Sequence, residues 1–169
     1  SLTNGTSGAV LKWGAVKGAT SYRVYRKVAG EKSWTTLATV KTTSYTDKTA
    51  KSGTKYFYTV KAFNGNVASG YDTTGITLKY LVMPKITKLT NTTTGINVKW
   101  SATTGAASYR VYRKATGESG WKNIGTVKTT SFTDKNVTNG KTYTYTVRAV
   151  DGSNLSAYNN TGTSIKRVK

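Results

Sequence analysis

The chain has 169 residues, 26 Lys and Arg against six acidic side chains, and neither His nor Cys. That length suits one mid-sized domain or two small ones. Without His or Cys the commonest acid–base, nucleophilic and metal-ligating side chains are missing, and no disulfide staples the fold. The formal net charge of +20 sets up a field that attracts polyanions.

In chain order, residues 9–13 alternate, with Ala9, Leu11 and Trp13 on one face. Residues 22–27 place Tyr22 and Val24 on one face and Arg23, Tyr25 and Lys27 on the other. Residues 34–40 and 43–47 give a third and a fourth run. The longest, 56–63, puts Tyr56, Tyr58, Val60 and Ala62 together, and 74–81 closes the series. Period-two runs separated by turn residues are the all-β pattern, and about seven of them in under 90 residues predict a sandwich. Shifted by 87 residues, the sequence then lies on itself without a gap. SYRVYRK at 21–27 recurs at 108–114, VKTTS at 40–44 recurs at 127–131, and Trp13 falls on Trp100. The expected modules are 1–83 and 84–169, with Pro84 in a short, stiff junction. The charge is shared: 12 basic and 3 acidic residues in 1–83, 14 and 3 in 84–169. There is no apolar run of membrane-spanning length and no signal-peptide pattern, and the chain reads as a piece of a longer protein, expected to be a monomer.

Several motifs recur in both copies: a Trp closing the second run (Trp13, Trp100), Tyr-x-Val in the third (Tyr22 to Val24, Tyr109 to Val111), and Thr-Ser-aromatic-Thr-Asp. Gly-x-x-Tyr then opens the long run (Gly53 to Tyr56, Gly140 to Tyr143). Together they resemble the fibronectin type III family over nearly the whole chain, twice. The resemblance implies two tandem seven-stranded, immunoglobulin-like β-sandwiches. It also implies that Tyr56 and Tyr143 are tyrosine corners, their hydroxyls bonded to upstream backbone. The Pro usual before that corner is missing, and the loops 64–70 and 151–157 carry no Arg-Gly-Asp, so the family's integrin motif is absent. The Lys- and Thr-rich phrasing looks most like repeats of secreted or wall-attached Gram-positive bacterial proteins. That implies an extracellular or cell-surface location and a spacer, adhesin or accessory role beside carbohydrate-active enzymes.

The sequence offers little for catalysis. The acids are Glu31, Asp47, Asp72, Glu118, Asp134 and Asp151. No two of them are placed to form a catalytic carboxylate pair, no clustered oxygens suggest calcium, and no phosphate or dinucleotide fingerprint occurs. Asp47 and Asp134 are expected to bond local turn backbone. No cofactor, metal site or catalytic residue is expected. By parity, Arg23, Tyr25, Lys27, Phe57, Thr59, Lys61 and Phe63 face solvent in the first copy. Arg110, Tyr112, Lys114, Thr144, Thr146, Arg148 and Val150 do so in the second. Trp34 and Trp121 follow a hairpin and are possible sugar platforms. Rings interleaved with cations suit stacking on sugars or bases beside anionic groups. The candidate ligand-binding set is therefore Arg23, Tyr25, Trp34, Phe57, Lys61, Arg110, Tyr112, Trp121 and Arg148. The function expected first is a non-catalytic, stiff spacer or accessory unit flanked by other domains of a parent protein. The alternative is an adhesion module for an anionic polysaccharide or cell-wall polymer. Nucleic acid is less favoured, because no recognition motif accompanies the charge.

Overall fold

The computed structural model describes residues 1–169, which form strands and loops only. They make two compact units, Ser1–Tyr80 and Leu81–Lys169. In the first, β1 (Leu2–Asn4), β2 (Ala9–Lys12) and β5 (Ser44–Asp47) form one sheet in the order β1-β2-β5. The other sheet runs β4 (Thr35–Val40), β3 (Ser21–Val28), β6 (Lys55–Asn64), β7 (Val67–Ala68), with β8 (Ile76–Lys79) also on β6. The second unit repeats the plan. There β9 (Ile86–Thr92), β10 (Gly95–Trp100) and β13 (Ser131–Asp134) form one sheet. The facing sheet holds β12 (Lys122–Val127), β11 (Ser108–Ala115), β14 (Thr142–Asp151), β15 (Asn154–Leu155) and β16 (Thr163–Lys166). The closing run expected at 74–81 is β8, and a two-residue strand that was not expected, β7 or β15, pairs ahead of it with β6 or β14.

Alternation fixes the cores. Ala9 and Leu11 from one sheet meet Val24, Tyr56 and Tyr58 from the other, and all are buried. Ile96, Val98 and Trp100 meet Val111, Tyr145 and Val147 in the same way, and Leu81 is buried in that second core. In so small a domain the large aromatics supply much of the buried apolar area. Trp13 packs edge-on against Tyr22 and Trp100 against Tyr109, both at 5.6 Å between ring centroids.

The tyrosine corners form as expected: Lys51 N donates to Tyr56 Oη (3.0 Å) and Thr138 N to Tyr143 Oη (2.9 Å). A second clamp sits at the other end of each unit, where Val16 N donates to Tyr22 Oη (3.0 Å) and Thr103 N to Tyr109 Oη (2.9 Å). Each phenol gives its ring to the core and its hydroxyl to a loop amide. Tyr143→Phe keeps the ring and orphans the part-buried Thr138 N–H. It is expected to cost about 1–2 kcal/mol, read as a lower urea midpoint at unchanged slope.

Three residues assigned by parity to the solvent face are buried instead. Thr59 is 6% exposed, Thr146 2% and Val150 7%. The parity is right, since Thr59 lies opposite Tyr25 and Thr146 opposite Tyr112 in the ladder. Over Thr59 and Thr146 the chain returns on its way to β8 or β16, bringing Asp72 and Ile76 alongside Thr59 and Asn159 and Thr163 alongside Thr146.

Candidate functional site

The outer face of the larger sheet is set by the β3–β6 register, which places Arg23 beside Lys61, Tyr25 beside Thr59 and Lys27 beside Phe57. Trp34 stands just ahead of β4, and a bulge in that strand skips Leu37, so that Val24 pairs Ala38 and Tyr25 pairs Thr36. The segment between β7 and β8 then brings in Tyr71. It is anchored by Ser69, whose Oγ accepts from Ala62 N (3.0 Å) and donates to Gly70 O (2.7 Å). Asp72 Oδ1 accepts from Thr74 N (2.8 Å) and turns the chain back toward β8.

The result is a small cluster. Tyr71 stacks on Tyr25 with ring centroids 6.4 Å apart and planes 28° apart, and Lys61 Nζ lies 4.3 Å from the centre of the Tyr71 ring. Lys27 Nζ lies 4.7 Å from the centre of the Trp34 ring. Tyr25, Trp34, Lys61 and Tyr71 line a cavity of about 50 Å³.

The second unit builds the same cluster from residues displaced by 87 positions: Tyr112, Trp121, Arg148 and Tyr158 line a cavity of about 100 Å³. Trp121 meets Tyr158 edge-on at 6.5 Å, Lys114 Nζ lies 4.9 Å from the Trp121 ring centre, and Arg148 Cζ lies 5.3 Å from that of Tyr158. Arg148 Nε donates to Ser156 O (2.8 Å), which fixes the guanidinium. Ser156 and Asn159 repeat the roles of Ser69 and Asp72, through Ala149 N to Ser156 Oγ (2.9 Å) and Thr161 N to Asn159 Oδ1 (3.0 Å).

Six of the nine residues singled out from sequence are therefore gathered, three per unit: Tyr25, Trp34 and Lys61, and Tyr112, Trp121 and Arg148. The other three lie on the same face outside the cavities. Arg23 covers Phe63 at 4.6 Å, Phe57 lies between Lys27 and Lys55, and Arg110 is the rung opposite Arg148. Tyr71 and Tyr158 were missed because they belong to loops, where strand parity says nothing. The repeat held the signal, since each is the lone ring of its loop and they stand 87 residues apart.

The acids are engaged in structure. Asp47 is fully buried. Its Oδ1 accepts from Thr49 N (2.9 Å) and Thr49 Oγ1 (2.7 Å), which is the expected turn. Its Oδ2 reaches across to Arg26 Nη1 (2.7 Å) and Tyr58 Oη (2.8 Å), a connection that sequence reading did not find. Asp134, Arg113 and Tyr145 repeat it, at 2.8 and 2.9 Å. Burial alone would raise the Asp47 pKa, but the bonds from Thr49, Tyr58 and Arg26 outweigh it and hold the carboxyl below its ordinary range. Glu31 and Glu118 each close a hairpin, accepting from Val28 N (3.0 Å) and Ala115 N (2.8 Å).

No protein-family model matches the chain. Among solved structures, the two-domain fibronectin type III segment of chicken tenascin superposes with a TM-score of 0.51 over 98% of this chain and 96% of that one, at 21% identity. Both units have the fibronectin type III fold. The sequence is also similar to Exoglucanase B of Cellulomonas fimi, 35% identical over 154 residues. A stretch of 60 residues is 38% identical to a poly(3-hydroxybutyrate) depolymerase of Ralstonia pickettii. The alignments take in 82% and 36% of this chain but only 13% of the exoglucanase and 11% of the depolymerase, so this chain is similar to a small part of each, and to the depolymerase over less than the length of one unit. In fibronectin type III terms, the duplicated cluster lies on the outer face of the sheet that carries the tyrosine corner.

Proposed function

We propose that this chain is a non-catalytic accessory module of a larger, secreted polymer-degrading protein, in which two sandwiches in series hold other domains apart. The observation that carries this is the pair of sequence relatives. One is named for a glucan and the other for a polyester, and each is similar to this chain over only a small fraction of its length. A module similar to parts of enzymes acting on such different bonds has a task separate from bond cleavage. The bonding of the carboxylates supports the same reading: Asp47 and Asp134 are buried and ion-paired, and the glutamates close hairpins. Secretion is part of the proposal, since both substrates named by the relatives are polymers.

The test is turnover by the isolated chain on a soluble β-glucan and on poly(3-hydroxybutyrate) granules. The expected outcome is no release of reducing ends or hydroxybutyrate. Sustained release by repurified protein would overturn the proposal. A second reading, binding, is favoured by one specific observation: the cluster of two Tyr, one Trp and one cation recurs in both units.

A further inference from the structure

The duplicated cluster, taken as a binding site, also points to a class of ligand, and the inference rests on that binding reading. We propose that each unit carries one site for an acidic sugar residue of a polysaccharide, built in the first from Tyr25, Trp34, Lys61 and Tyr71 and in the second from Tyr112, Trp121, Arg148 and Tyr158.

The two copies act as an internal comparison. Around the cluster the outer face has drifted: Phe57 has become Thr144, Phe63 has become Val150, and Lys55 has become Thr142. The rings at the cluster are unchanged and its cation remains a cation, Lys61 or Arg148. The packing that shapes it is kept as well. Gly75 and Gly162 have positive φ (73° and 71°), and a Cβ on either would come within 2.7 Å of Cη2 of Trp34 or Trp121. The drift has spared the rings and the cation together with the glycine under the indole.

The chemistry of the cluster selects an anion attached to a ring. No carboxylate is paired with Lys61 or Arg148. Asp47 and Asp134 are held by Arg26 and Arg113. Asp72, the acid of the first loop, accepts from Thr74 N, and the second loop carries the neutral Asn159 at that position. Arg148 uses Nε on Ser156 O, so its Nη side is oriented to take a two-oxygen acceptor. Tyr71, 39% exposed, offers a flat face on which the C–H side of a pyranose can lie. Cavities of about 50 and 100 Å³ beside the cation take a carboxylate or sulfate while the sugar ring to which it is attached lies against Tyr71 or Tyr158. The net charge of +20 favours the approach of such a polymer from a distance.

The experiment titrates the full chain with polygalacturonate, dextran sulfate, neutral dextran and a single-stranded oligonucleotide at low and moderate salt. Wild type is compared with Y71A+Y158A, K61A+R148A and, as a charge control on the opposite sheets, K12A+K99A. The expected result is binding to an acidic polysaccharide that weakens with salt. Y71A+Y158A should lower the affinity roughly tenfold with an unchanged melting temperature. K61A+R148A should do the same and flatten the salt dependence, while K12A+K99A should change little. The polygalacturonate and dextran sulfate arms identify which anion is preferred. The proposal is overturned by undiminished binding in Y71A+Y158A, by an equal loss in K12A+K99A, or by neutral dextran binding as tightly. Tighter, ring-dependent binding of the oligonucleotide overturns it in favour of nucleic acid. Absence of all binding also overturns it, while leaving the non-catalytic accessory reading intact, which only turnover would remove.

Discussion

Asp47→Ala is expected to unfold the first sandwich while leaving the second intact. The carboxylate is buried and joins three strands. Thr49 closes the turn after β5, Tyr58 reaches it from the middle of β6, and Arg26 comes from β3. Deleting it strands a part-buried guanidinium and a buried hydroxyl at once. Breaking a buried pair from one side costs about 3–5 kcal/mol, close to the whole stability of a domain this size. Indole N–H resonances report the outcome: those of Trp13 and Trp34 should collapse to unfolded positions while those of Trp100 and Trp121 stay dispersed. Asp134→Ala should give the reverse. Four dispersed indole peaks and a loss under about 1 kcal/mol would show that the node carries little of the fold.

The same node sets a pH dependence whose sign comes from linkage. Asp47 has a folded pKa below its unfolded value, so the folded state holds fewer protons in the interval between them. Its stabilisation is complete above roughly pH 4 and is lost as pH falls through the lower, folded value. At the alkaline end, burial first, and the neighbouring carboxylates with it, push the Tyr58 and Tyr145 hydroxyls well above the ordinary tyrosine range. The unfolded chain then gives up those protons first, so stability should also decline above about pH 10.

Gly75→Ala carries the second large expected effect, and it ties the fold to the site. At φ +73° a side chain is already strained, and the new Cβ would stand 2.8 Å from Tyr58 O and 2.7 Å from Trp34 Cη2. The carbonyl belongs to the central strand β6 and cannot retreat, so the loop or the indole must move. The combined cost is about 2–4 kcal/mol. Gly162→Ala repeats the conflict against Tyr145 O and Trp121 and adds Thr144 Cγ2 at 2.6 Å. A lowered urea midpoint with a shifted Trp34 emission is the expected reading. An unchanged midpoint would mean that the loop carrying Tyr71 is not seated on the indole.

The sequence was legible where the fold follows a local pattern. Alternation identified the core faces of β3 and β6, and Gly-x-x-Tyr identified both corners, because each is a local pattern with one structural solution. Arg26 shows the limit. By parity it faces inward, which argues against a charge there, and only the fold reveals that β5 presents Asp47 to receive it. Thr59 and Thr146 show another, since both are buried and a strand pattern cannot register that a later loop comes alongside an outward position. Tyr71 and Tyr158 depend on that same loop.

The duplicated site is tested most simply by counting the sites for a short acidic oligosaccharide on one chain, by calorimetric titration of wild type and of Y158A. Two sites in wild type and one in Y158A, with both melting alike, is the predicted result. No sites, or a number that tracks total charge and ignores Tyr158, would contradict it.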